Sequence, residues 1–143
     1  MSRQRTHPPS VAFLIAAARS RIRQATGAHA AGLKLTPTQL WMLVTLAERG
    51  PAPLGVLAAG VFADAPTASR VIETLHKRGL VSCACDATDR RRTVVSLTPD
   101  GERLARDAVV VADEVRATTV AGLSASEQEA LRALLGKVIA NFG

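Results

Sequence analysis

The sequence predicts a mainly α fold: a winged helix-turn-helix with flanking dimerisation helices and one β-hairpin wing. Helix caps followed by three- and four-residue apolar spacing recur along the chain. The pattern switches once, after Gly79, to two short strand-like runs. A charged connection containing three adjacent arginines, Arg90, Arg91 and Arg92, joins those runs.

Taken in order, residues 1–9 are polar and proline-containing and are expected to be frayed. Ser10 precedes a first helix in which Val11, Leu14, Ile15, Ala18, Ile22 and Ala25 make one apolar stripe, with Gly27 and Gly32 bracketing its exit. Thr36-Pro37 opens a second, since threonine caps well and proline suits the first helical position. Its expected buried face is Leu40, Leu43, Val44 and Ala47, and Gly50-Pro51 stops it. A short helix is expected from Leu54 to Val61, with Leu54, Leu57 and Ala58 inward. Asp64 caps the fourth helix, and Pro66 is tolerated in its first turn. Ala68, Val71, Ile72 and Leu75 fall on one side of it, and Gly79 supplies the left-handed exit. Strands are expected over residues 80–85 and 93–97. Thr98-Pro99 repeats the cap-then-proline start for a long helix carrying Leu104, Ala108, Val111, Ala112 and Val115. Ser124 and Glu127 form a capping box for a last helix striped by Leu131, Leu134, Leu135, Val138, Ile139 and Phe142.

At 143 residues the chain, 1–143, is expected to be one domain. Residues 35–101 form the winged lobe, and residues 10–34 and 102–143 the dimerisation helices. The first and last helices carry apolar stripes that one chain has little left to cover. That favours association with a second copy of itself, a homodimer.

The formal net charge is +6 at pH 7, a hint of polyanion partners. No acidic residue precedes Glu48, whereas from residue 93 onward seven acids face five bases. Two cysteines are too few for a disulfide framework and, with no signal-peptide pattern, fit a reducing, cytoplasmic location. No apolar run approaches the roughly 20 residues that span a bilayer, so no membrane partner is expected.

On a wheel of about 100° per residue, the fourth helix turns Pro66, Ser69, Arg70, Glu73, Thr74 and Lys77 away from its apolar side. Ser69 and Thr74 can donate to phosphates or base edges, and Arg70 can fork onto guanine or clamp a phosphate. Lys77 suits a backbone contact. Glu73 either accepts from cytosine or holds Arg70 or Lys77 in place. In the connection 86–92, three adjacent arginines repel one another and gain little by folding alone. They make sense against phosphates or a narrow, electronegative minor groove of double-stranded DNA, with Asp89 near enough to pair with one of them and fix the loop's shape. Helix, turn, helix, strand, charged loop, strand is the order of a winged helix-turn-helix, whose second helix enters the major groove.

The run from Asp86 through Asp89-Arg90-Arg91-Arg92 and Thr93-Val94-Val95-Ser96-Leu97-Thr98 to Gly101 resembles the wing of the MarR family of transcriptional regulators. Pro66-Thr67-Ala68-Ser69-Arg70, Leu75 and Gly79-Leu80-Val81 resemble its recognition helix and exit, and Leu35-Thr36-Pro37 through Trp41 its second helix. The resemblance implies a homodimeric regulator, most often a repressor, reading half-sites of a near-palindromic operator. It implies that Thr67 belongs to the DNA-facing set, and that Arg90 or Arg91 enters the minor groove while Asp89 braces the other. It also implies a crevice for a small aromatic effector between dimer helices and DNA-binding lobe, which Trp41 could line, although a core or interface position is the commoner fate of a tryptophan. Arg92 is an addition to the pattern, and Pro66 stands where a hydroxyl residue is frequent.

Cys83-Ala84-Cys85 could converge two thiolates on a strand face. The only further ligands nearby are Asp86 and His76, and one cysteine is expected in the core, so no metal centre is expected. His76 reads as a helix-surface histidine near phosphates. His7 and His29 suggest nothing. No nucleophile–base pair, phosphate loop or paired carboxylates stand out, so no enzyme and no cofactor are expected. The rival reading is a winged-helix dimer that serves as a protein-interaction module without DNA binding.

Overall fold

The computed structural model describes residues 8–143. The expected fraying at the start of the chain, over residues 1–7, and His7 lie outside the described residues. Six helices and three strands follow in the order α1 (Val11–Ala31), α2 (Pro37–Arg49), β1 (Ala52–Pro53), α3 (Leu54–Gly60), α4 (Ala65–Lys77), β2 (Val81–Cys85), β3 (Thr93–Leu97), α5 (Pro99–Thr119) and α6 (Ala125–Ala140).

The caps behave as their residue types require. The Ser10 hydroxyl accepts from the Phe13 N–H, and the Thr98 hydroxyl from that of Gly101. Thr36 and Gln39, and Ser124 and Glu127, each make reciprocal capping boxes. Gly79 leaves α4 with φ 71°, the left-handed region where a Cβ is penalised.

The core sits under the winged lobe. Leu40, Met42, Leu43, Val44 and Leu46 of α2 are buried, together with Leu57, Ala68, Ile72, Leu75, Val81 and Val95. Helix α5 closes over α2 through Ala105, Ala108 and Ala112, small side chains that let the two backbones approach. A Leu→Ala change in such a site costs about 2–5 kcal/mol, a large fraction of a whole domain's margin.

Three details differ from the sequence reading. The sheet has three strands, in the order β1-β3-β2, not two. Ala52 and Pro53 pair antiparallel with Val95 and Val94, because Gly50 (φ 81°) turns the chain straight from α2 into an extended, proline-flanked stretch. Ala47 is exposed, and Met42 and Leu46 are buried in its stead. Helix α2 is covered by neighbours on more than one side, which widens its buried arc, whereas Ala47 faces an open groove beside Pro51, Leu97 and Val109. Finally, Cys83 and Cys85 are both exposed. The hairpin has by then run out beyond the helices that would cover them.

Along α6 and the start of α1 the picture reverses. Helix α6 buries no residue. Leu134, Ile139 and Phe142 are 58%, 68% and 88% exposed, and on α1 Val11, Phe13 and Leu14 are open as well. Among the described residues no helix is long and apolar enough to cross a membrane.

Candidate nucleic-acid interface

Helix α4 is positioned at both ends. At its start the Asp64 carboxylate accepts the Thr67 N–H at 2.7 Å, and that bond with the Thr67 hydroxyl holds the carboxyl below the usual range. At its exit the Arg78 guanidinium donates to the Lys34 carbonyl at 2.9 Å, tying the end of α4 to the turn after α1. His76 Nδ1 lies 3.0 Å from the Val81 carbonyl. A carbonyl can only accept, so Nδ1 carries the proton and this ring pins the helix to β2 rather than standing free on the surface. Sequence reasoning reaches neither Arg78 nor this use of His76. Both partners are main-chain carbonyls, which leave no trace in side-chain periodicity.

Ala68, Ile72 and Leu75 point inward, and Pro66, Ser69, Arg70, Glu73, Thr74 and Lys77 are exposed, while Thr67 is half-buried. Arg70 Nη2 reaches the Thr67 hydroxyl at 3.4 Å, a long contact that leaves most of the guanidinium free. Glu73 pairs with Lys77 at 3.0 Å, not with Arg70. The Thr74 hydroxyl proton goes to the Arg70 carbonyl at 3.0 Å, so Thr74 offers its lone pairs outward, whereas sequence reasoning casts it as a donor.

The wing is built from backbone bonds. The Asp86 N–H donates to the Arg92 carbonyl at 2.9 Å, and the Arg92 N–H to the Asp89 carbonyl at 3.0 Å. The Asp89 carboxylate accepts the Arg91 N–H at 3.0 Å. It thus braces the loop through the main chain, and not by pairing with an arginine head as the sequence suggests. Asp86 is a second brace, which sequence reasoning weighs only as a metal ligand. One of its oxygens accepts both the N–H and the hydroxyl of Thr88, and these bonds, with the nearby Arg92, hold its carboxyl low. Among the described residues no carboxylate pairs within 4.0 Å with the guanidinium of Arg90, Arg91 or Arg92, and all three are exposed.

Wing and helix are joined behind this face. The Thr98 hydroxyl donates to the Gly79 carbonyl at 2.6 Å, and the Thr98 N–H to the Leu80 carbonyl at 3.1 Å. Gly101 is buried, and a Cβ there would land on the Leu80 carbonyl oxygen. The Leu97-Thr98-Pro99-Asp100-Gly101 run is therefore a lock between the exit of α4 and the exit of the wing.

Trp41 is half-buried. The Arg116 guanidinium lies 5.5 Å from its ring centroid and forks onto Glu48 at 2.7 and 3.2 Å. Trp41 forms part of a crevice of about 540 Å³ where α1, α2, α5 and α6 meet, with Ile22, Val115, Gln128 and Arg132 among its walls.

A polar helix face beside an arginine hairpin, mounted on a three-stranded sheet, defines a winged-helix nucleic-acid-binding lobe. Comparison with known proteins sharpens this. Residues 35–93 match the profile of the MarR family. The chain is 32% identical over 106 residues to the transcriptional regulator HosA of Escherichia coli O127:H6, covering 73% of this chain and 78% of that one. The chain therefore belongs to the MarR family. Among solved structures it is similar to Bordetella bronchiseptica BpsR, described by regulation of its DNA binding by 6-hydroxynicotinic acid, with 32% identity, a TM-score of 0.78 and coverage of 90% and 97%. It also shares the fold of S. aureus MepR in its DNA-binding conformation, with 23% identity, a TM-score of 0.85 and coverage of 94% and 100%. HosA is by name a transcriptional regulator.

Proposed function

We propose that the chain is a homodimeric, sequence-specific DNA-binding repressor of the cytoplasm, with no enzymatic activity, acting on a near-palindromic operator. The observation that carries this is the wing: three exposed arginines, braced through backbone and free of carboxylate partners among the described residues, beside the exposed face of α4. Arg70 and Ser69 read base edges in the major groove, with Pro66 and Thr67 at the helix start. Thr74, with its lone pairs, and Glu73 accept from bases or position their neighbours, and Lys77 lies along the backbone. Arg90, Arg91 and Arg92 take phosphates or the minor groove, with Asp89 fixing their loop. The apolar faces of α1 and α6 supply the dimer, so residues 10–34 and 102–143 act as dimerisation helices around a lobe of residues 35–101. A small aromatic effector in the Trp41 crevice would favour a lobe spacing that no longer matches the groove. BpsR, with its pyridine acid, supports that ligand class.

The test is duplex binding across a salt series. Arg90→Ala and Arg91→Ala are expected to weaken binding and to flatten the salt slope by about 0.9 for each phosphate left unneutralised. No duplex binding at low salt would remove this reading and leave the protein-interaction module.

A further inference from the structure

Cys83 and Cys85 are the only cysteines of the chain, and both are free and exposed. They lie on β2, the edge strand of the sheet, opposite Val95 and Thr93. Opposed residues of an antiparallel pair share a face, so both thiols lie on the face where Val81 and Val95 are buried. Their backbone turns outward. The Thr98 N–H donates to the Leu80 carbonyl and the Asp86 N–H to the Arg92 carbonyl, so the even-numbered residues of this strand carry the ladder. The odd-numbered cysteines are left at an open edge.

Spacing decides what such a pair can hold. Residues two apart on a strand are separated by about 6.6 Å. A disulfide wants its Cβ atoms about 3.8 Å apart, so closing one here would break the strand's geometry. A tetrahedral zinc centre needs four ligands. Among the described residues no three His, Cys, Asp or Glu side chains gather to hold a metal, and Asp86 is engaged with Thr88. A linear sulfur–metal–sulfur unit, with bonds of about 2.3 Å, spans about 4.6 Å, which rotation of two same-face thiols can bridge. Two soft ligands without a third select a soft cation content with two.

We propose that Cys83 and Cys85 form a two-thiolate clip for a soft, two-coordinate d10 cation of the copper(I), silver(I) and mercury(II) class, seated on the first strand of the wing. Binding makes two metal–sulfur bonds and releases both thiol protons. The clip is separate from the Trp41 crevice and does not depend on what the wing reads.

The experiment titrates the reduced full-length chain with silver nitrate in chloride-free buffer. Thiolate-to-metal absorption gives the affinity, and native mass spectrometry counts ions per chain. One silver ion per chain is expected. Cys83→Ser and Cys85→Ser should each lose about 100-fold or more in affinity, because a single thiol forfeits the chelate. Zinc(II) in the same titration is expected not to bind. Two ions per chain with each variant retaining one site of unchanged affinity would overturn the clip. So would one ion shared between two chains, or zinc held as tightly as silver.

Discussion

Helices α2 and α6 both open with a capping box, Thr36 with Gln39 and Ser124 with Glu127, and both carry leucine-rich stripes. Their fates differ. Helix α2 buries five side chains and sits at the centre of the lobe, whereas α6 buries none. Local signals decide that each helix forms. Burial depends on what the rest of the chain can lay over it, and this chain covers α2 with α1, α3 and α5 and has nothing left among the described residues for α6. One stripe is a core and the other is an open apolar face.

The comparison can be broken in order of expected effect. Gly101→Ala strikes the lobe at its tightest point, because the new Cβ meets backbone that cannot move aside. The variant is expected to lose cooperative thermal unfolding altogether, and a melting temperature near that of the native chain would show that the lock yields. Leu134→Asp strikes the other stripe. A carboxylate on a surface already 58% exposed leaves the single chain folded. Light scattering should then report monomers, and an unchanged dimer mass would mean that α6 is not the interface. Arg70→Ala is smaller: about 1–3 kcal/mol of discrimination at one base pair, read by binding to single-substitution duplexes. A uniform loss across sequences would make Arg70 a phosphate contact. Smallest is Asp64→Asn. Asp64 has its carboxyl lowered in the fold, so the stability it adds is complete above the usual carboxylate range and drains away as the pH falls through its folded value. Asparagine still caps but cannot titrate, so melts at neutral pH should change little while the acid limb flattens. An unaltered acid limb would remove Asp64 as its source.

Much of this molecule is legible in the sequence because its punctuation is local. Ser10, Thr36, Asp64, Thr98 and Ser124 all cap at the positions their residue types announce, and Gly79 ends α4 with the positive φ expected of it. What escapes is non-local. The two-residue strand β1 exists only because β3 lies beside it, and Arg78 finds its acceptor at Lys34, 44 residues away. The wing shows the limit in miniature. Asp89 is recognisable as a brace, but its partner is a main-chain N–H, which composition cannot distinguish from a guanidinium. In the same way Leu97-Thr98 and Gly101 serve as a family signature, and only the packing against Leu80 explains why a glycine stands there.

That packing limits what regulation can do. The lock at Thr98 and Gly101 fastens the hairpin to the end of α4, and His76 fastens α4 to β2, so helix and hairpin are tied into one head. Any signal arriving from the helices behind must tilt or translate that head whole. In the proposed homodimer, two such heads would work like a pair of calipers: the distance between the jaws can change, but not the shape of either jaw.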